Sequence, residues 1–172
     1  MSRTVTLKGN PASTIYGEPV QIGQAAPAAI GRTSGFSTAT FDVLNDTPGK
    51  IRVLNFVPSL HTGICDAQTR RFNLEMNDYK EQVAVVTISA DLPFFQQAWC
   101  GTAGLEEAIM VSDHFDMAVG KAYGAYLIDF RLNQRAVVVV DAAGVVQYTE
   151  YCPAIGMHPD YEAAVAAVKA LL

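Results

Sequence analysis

The chain has 172 residues, half of them hydrophobic and only 17% charged, which excludes an intrinsically disordered segment and suits one domain over residues 1–172 that needs no disulfide staples. Twelve Lys and Arg against seventeen Asp and Glu leave a net charge of −5, so there is no basic field for a phosphate backbone and the expected partners do not include nucleic acid. No apolar run approaches the ~18 residues of a membrane span, and the opening Met1-Ser2-Arg3-Thr4-Val5-Thr6 lacks the apolar core of a secretory signal. The expected compartment is a reducing cytoplasm, with no membrane contact.

In chain order, residues 4–8 alternate as a strand and Gly9-Asn10-Pro11 reads as a turn. An extended stretch over 14–22 completes an N-terminal hairpin. Residues 23–35, rich in Gly, Ala, Ser and Thr around Pro27, read as a connector, and a short strand over 38–44 precedes the turn Asp46-Thr47-Pro48-Gly49. Residues 51–57 form a mostly buried strand stopped by Pro58, and 58–64 form a loop. Cys65, Phe72, Met76 and Tyr79 are then spaced along one face of an amphipathic helix. A second apolar strand over 83–89 ends at the breaker Asp91-Leu92-Pro93. The spacing next predicts a short helix over 94–100, with Pro93 in its first turn and Gly101 at its end. A further helix is expected over 116–123. Residues 135–140 and 145–151 flank Asp141-Ala142-Ala143-Gly144 as a hairpin. Residues 159–172 make a terminal helix with Tyr161, Ala164, Val165, Val168 and Leu172 on one face. This order predicts an α/β molecule with a central mixed sheet flanked by helices, the arrangement of a thioredoxin-like fold with an N-terminal β-hairpin.

Three cysteines, Cys65, Cys100 and Cys152, are odd in number and too widely spread for a disulfide framework. There is no Cys-x-x-Cys, and His61, His114 and His158 form no His-x(3–5)-His pair. A thioredoxin-type redox pair and a zinc ribbon are therefore both excluded, and the thiols serve as core filler or as chemistry. The informative stretch is Pro58-Ser59-Leu60-His61-Thr62-Gly63-Ile64-Cys65, which joins a buried strand to a helix start. A thiol there faces the positive end of the helix dipole and unpaired backbone N–H groups, which favour thiolate over thiol. That matters because an ordinary thiol of pKa ~8.5 is only about 3% ionised at pH 7. The Thr62 hydroxyl can fold back toward the sulfur, and Pro58 stiffens the loop.

Pro58-x3-Thr62-x2-Cys65 resembles the Pro-x3-Thr-x2-Cys signature of peroxiredoxins. The likeness narrows to the bacterial thiol peroxidase branch, an atypical two-cysteine class. That branch has segments similar to Val53-Leu54-Asn55, Arg70-Arg71-Phe72-Asn73, Ile88-Ser89-Ala90-Asp91-Leu92-Pro93-Phe94, Trp99-Cys100-Gly101 and Gly104-Leu105. It is also similar at Arg135-Ala136-Val137-Val138-Val139, at Pro159-Asp160-Tyr161-Glu162-Ala163-Ala164 and in the opening Thr4-Val5-Thr6-Leu7-Lys8-Gly9-Asn10-Pro11. The resemblance implies that Cys65 is the peroxidatic cysteine, Cys100 the resolving one and Arg135 the arginine of the pocket, beside Pro58 and Thr62. It further implies hydroperoxide reduction through a sulfenic acid and an intramolecular disulfide, recycling by thioredoxin, and a homodimer. No metal or organic cofactor is called for. Cys152 fits no motif and reads as a half-buried spectator, and His61 as a solvated loop residue. Of Arg70 and Arg71, one is expected to turn toward the pocket. Phe94, Phe95 and Trp99 are compatible with an apolar collar.

Because the two cysteines stand on separate helices, closing a disulfide requires local unfolding around one or both. Two other readings of the residues stay open. One is a thiol-dependent hydrolase, which needs a histidine base beside Cys65. The other is a non-enzymatic peroxide-sensing redox switch or holdase that uses the same disulfide.

Overall fold

A computed structural model of the chain describes residues 3–172; Met1 and Ser2 of the opening segment lie outside the described residues. Strands β1 (Arg3–Leu7) and β2 (Asn10–Tyr16) pair antiparallel. Their turn sits one residue earlier than the sequence suggests: Lys8 and Gly9 both take positive φ, 51° and 82°, while Asn10 and Pro11 already pair with Leu7 and Thr6. Two positive φ angles match the right-handed twist of a hairpin. β2 stops at Tyr16 rather than at residue 22, because Gly17 turns the chain with φ 80°.

The expected connector contains a strand, β3 (Ile30–Arg32), followed by β4 (Thr40–Asp42), β5 (Ile51–Phe56), α1 (Gly63–Met76) and β6 (Val83–Ser89). Helix α2 (Pro93–Ala103) runs through Gly101 and ends only at Gly104, which takes φ 68° and closes the last turn with bonds to the Cys100 and Gly101 carbonyls. There follow β7 (Ile109–Ser112), α3 (Ala118–Ala122), β8 (Tyr126–Leu127), β9 (Leu132–Asn133), β10 (Ala136–Val140), β11 (Val146–Tyr151) and α4 (Tyr161–Lys169). Strands β7, β8 and β9 also add to the elements expected from sequence. Each is four residues or fewer, too short for periodicity to register.

The seven-stranded sheet has the order β11-β10-β5-β6-β7-β3-β4, and a four-stranded sheet, β1-β2-β8-β9, contains the N-terminal hairpin. β5, β6 and β7 are parallel; β10 and β11 continue the sheet antiparallel on one side and β3 and β4 on the other. β3 can approach β7 because Gly31 carries no side chain, since a Cβ there would collide with Val111 and the Ser112 carbonyl.

β5, β6 and β10 are buried at every position, as strands covered on both faces must be. On one face Val53, Val85, Val137 and Val139 pack against Phe72 and Met76 of α1 and Ala164, Val165 and Val168 of α4. On the other, Leu54, Phe56, Val86, Ile88 and Val138 meet Val119 and Tyr123 at α3. Beyond the carboxyl ends of β5 and β6, a smaller cluster joins Val57, Leu60 and Cys65 to Trp99 and Cys100 of α2. Among the described residues no helix is long and apolar enough to cross a membrane.

Candidate active site

Parallel strands deliver their following loops to one edge of a sheet, where helix N-termini also gather. The loop after β5 carries buried Pro58 and leads into α1, with Thr62 at its N-cap and Cys65 in its first turn. An N-cap threonine ordinarily caps the backbone N–H three residues on. Thr62 makes no such bond; its Oγ1 lies 2.8 Å from Cys65 Sγ and 3.0 Å from the Ser59 carbonyl. The sulfur is fully buried, whereas Thr62 lies at the surface.

Arg135 reaches the same sulfur from seventy residues away. The antiparallel pairing of β10 with β5 sets Ala136 opposite Phe56, so the residue before β10 comes level with the end of β5. Arg135 Nη2 donates to Cys65 Sγ at 3.5 Å and to the Ile155 carbonyl at 3.2 Å, and Nη1 donates to Gln68 Oε1 at 2.8 Å. Arg135 is only 3% exposed, which excludes a strand-end residue with its head in water. Its buried Nε has no acceptor among the described residues.

The structure thus brings Pro58, Thr62, Cys65 and Arg135 to one site, together with residues to which the sequence reading assigned no role. Gln68 Nε2 donates to Asn55 Oδ1 at 2.6 Å, and Asn55 Nδ2 donates to Thr69 and Thr87 Oγ1, each at 3.1 Å. This buried network keeps the Gln68 oxygen facing Arg135. Asp91, after β6, holds the Pro58 loop by accepting from Ser59 Oγ at 2.7 Å and from Leu60 N at 2.8 Å. The available signal was a glutamine three residues after the cysteine and a polar asparagine inside an apolar strand.

Cys100 lies in α2, buried in the cluster that also contains Cys65, and all three cysteines are free thiols. Burial pushes the Cys100 thiol above its ordinary range. A cleft of about 430 Å³, lined by Gln96, Cys100, Ile109 and Met110 among others, opens beside it. Cys152 follows β11, and its N–H donates to the Arg135 carbonyl at 2.9 Å. It is fully buried rather than half-buried. Burial and, after it, the Glu150 carboxylate push its thiol up to about 12, with Arg135 pulling the other way.

Neither arginine of the Arg70-Arg71 pair bonds to the sulfur. Arg70 pairs with Asp66 at 2.9 Å, and Arg71 pairs with Glu75 while lying 4.4 Å over the Tyr161 ring. Phe94 is 45% exposed against Phe36, the Phe95 ring lies 5.3 Å from His61 at a tilt of 50°, and Trp99 is buried. The other two imidazoles bond elsewhere: His114 to Ser112 and His158 to Tyr161.

Residues 22–149 match the model of the AhpC/TSA family. The thiol peroxidase of Halalkalibacterium halodurans is 47% identical over 169 residues, 98% of this chain and 99% of that protein. That of Bacillus subtilis is 43% identical over 168 residues, 98% of each. Among solved structures, a peroxiredoxin-like protein from Aquifex aeolicus is 32% identical with a TM-score of 0.86, covering 100% of this chain and 99% of that one. A thiol peroxidase from Chromobacterium violaceum, 16% identical, shares the fold with a TM-score of 0.82 over 98% of this chain and 96% of its own. The chain belongs to the AhpC/TSA family and, within it, to the thiol peroxidases.

Proposed function

We propose that the chain reduces hydroperoxides through Cys65, with Cys100 as the resolving thiol and thioredoxin as the reductant. One observation carries the reading: a buried sulfur at a helix N-terminus, bonded at once by a hydroxyl and by a buried guanidinium. The Cys65 thiolate attacks the distal oxygen of the hydroperoxide, forming an S–O bond as the O–O bond breaks. The electron pair leaves on the proximal oxygen, which takes a proton and departs as water or an alcohol. Thr62, Arg135 with its unpaired Nε and the first-turn N–H groups of α1 stabilise the charge developing on the peroxide oxygens. Pro58 keeps the loop in shape behind them.

The Cys100 thiolate then attacks the sulfenic sulfur of Cys65 and expels hydroxide, leaving a disulfide that a dithiol reduces by exchange. The names of the relatives support the reaction class. On this reading the enzyme works in a reducing cytoplasm, as a homodimer, on alkyl, lipid or hydrogen peroxide. A thiol hydrolase is disfavoured because no imidazole among the described residues bonds to the Cys65 sulfur.

Peroxide consumption with thioredoxin and its reductase tests the reading. Cys65→Ser is expected to abolish turnover with the fold intact. Cys100→Ser should consume one equivalent and stall as sulfenic or sulfinic acid, and Cys152→Ser should cycle almost normally. Peptide mass mapping after one equivalent of peroxide should find Cys65 joined to Cys100. Full turnover by Cys65→Ser would overturn the assignment. A wild-type protein that takes up one equivalent and no more, with reductase present, would be a peroxide-sensing switch or holdase instead.

A further inference from the structure

The first turn of α1 and the body of α2 are joined by a polar clasp whose members flank both cysteines in sequence. Asp66 follows Cys65, Trp99 precedes Cys100, and Trp99 Nε1 donates to Asp66 Oδ1 at 2.9 Å. Arg70 Nε bonds both Asp66 oxygens, at 3.0 and 2.9 Å, and Arg70 Nη1 donates to the carbonyl of Ala103, the last residue of α2, at 3.2 Å. The guanidinium carbon stands 5.2 Å from the Trp99 ring centroid. Trp99 is buried, while the Asp66 and Arg70 side chains are about one third exposed, at 36% and 37%. A buried indole N–H needs an acceptor, and here the acceptor lies on the other cysteine's helix. An ion pair within α1 alone would be satisfied by Asp66 and Arg70. Arg70 instead reaches on to the end of α2, so one side-chain cluster spans the two helices.

We propose that the Asp66–Arg70–Trp99 clasp controls how fast the oxidised Cys65 meets Cys100, and so how often a turnover is lost to a second oxidation. The proposal rests on the reading of Cys65 and Cys100 given above. Once Cys65 is a sulfenic acid, two reactions compete. In one, the Cys100 thiolate attacks the Cys65 sulfur, an S–S bond forms and hydroxide leaves to become water. In the other, the sulfenate sulfur attacks a second hydroperoxide, gaining an oxygen to become sulfinic acid while water or an alcohol departs. Cys65 and Cys100 are free thiols, and a disulfide needs its sulfurs ~2.05 Å apart. Closing it therefore draws Cys65 off the seat made by its contacts with Thr62 and Arg135 and shifts α1 against α2, where the clasp joins them. The second oxidation needs only the seat as it stands. Holding the clasp closed therefore slows the first reaction and favours the second. Asp66, Arg70 and Trp99 are positioning residues in this scheme, acting on the resolving step alone.

The test is a rapid mix of the reduced protein with hydrogen peroxide, quenched into a thiol-blocking reagent and read by intact mass, so that thiol, sulfenic, disulfide and sulfinic forms are each followed in time. Trp99→Phe keeps a packed ring and deletes the N–H, whereas Arg70→Met keeps the apolar stem and deletes the guanidinium. In both, the sulfenic-forming rate is expected to stay within about twofold of wild type, and disulfide closure to speed up about three- to tenfold, the scale of losing one or two ordinary polar contacts. The sulfinic yield per turnover should fall by the same factor. Trp99 is the single tryptophan of the chain, so indole fluorescence in the wild type should change with disulfide closure and not with sulfenic formation. Unchanged closure rates in both variants, or fluorescence that follows the first step, would overturn the proposal. Mass mapping of wild type separates that failure from failure of the underlying reading. A Cys65–Cys100 bridge that closes no faster in the variants sinks the clasp alone; absence of that bridge sinks both. If Trp99→Phe folds poorly, Arg70→Met still decides the matter at a partly exposed position.

Discussion

The hydroxyl of Thr62 has one proton and two acceptors within reach, the Ser59 carbonyl at 3.0 Å and the Cys65 sulfur at 2.8 Å. A thiolate is the stronger acceptor and draws that proton, whereas a neutral thiol leaves it to the carbonyl. Thr62→Val keeps the shape and removes the donor; the expected loss in the first oxidation step is about 10- to 100-fold, the scale of one charge-assisted hydrogen bond. Stopped-flow peroxide reduction measures it, and Thr62→Ser should recover most of the rate. Arg135→Met removes a donor from a site where charge develops, and the expected loss is about 10²- to 10³-fold. Circular dichroism on the same sample checks that the Gln68 oxygen, left without its Arg135 partner, has not unfolded the protein. A rate within threefold of wild type would reduce Arg135 to a buried structural cation.

At the scale of elements, the reactive loop is held from a neighbouring strand. The Asp91 carboxylate takes Ser59 Oγ, Leu60 N and Ser89 Oγ, and the Ser59 carbonyl in turn meets Thr62. Asp91→Ala should leave the sheet in place and let the Pro58–Thr62 turn shift, lowering the first-step rate by about tenfold or more. The accompanying loss of stability should be on the order of 2–3 kcal/mol, since three partly buried donors lose a charged acceptor. A thermal melt and a rate on the same preparation give both numbers; an unchanged rate would make Asp91 a stability residue only. In the sequence Asp91 reads as part of a breaker, and Asn55 and Gln68 read as interior positions of a strand and a helix. Their roles depend on Thr87, Arg135 and Ser59, which only the fold brings alongside. The long strands and helices were legible because each presents an apolar run or face. α2 ran past Gly101 because a mid-helix glycine costs only about 1 kcal/mol, which its packing on Val57, Leu60 and Met110 outweighs.

At the scale of the whole molecule, burial gives the fold a definite response to alkaline pH. The Cys152 thiol and the Tyr151 phenol are each pushed up to about 12, both mainly by burial. Tyr148 on the same strand and Tyr123 beneath the sheet are raised as well. Between about pH 9 and pH 12 the unfolded chain therefore releases protons that the folded chain retains. The unfolded state binds fewer protons there, so stability falls as pH rises across that window and is fully present below it. Urea melts at stepped pH should show the decline, and Cys152→Ser should make it shallower; a flat profile would mean that these groups are solvated in solution. By itself the sequence determined the order of the main elements and singled out Cys65 as the candidate thiol with Thr62 beside it, because those follow from local periodicity and from motif spacing within one loop. The resemblance pointed to Arg135 as the pocket arginine, and tertiary structure decided how it reaches Cys65, that Gln68 and Asn55 hold it there, that Asp91 anchors the loop and that Trp99 meets Asp66. These contacts join residues 13 to 70 apart, and such pairs are set by strand register and helix packing, which no local pattern encodes.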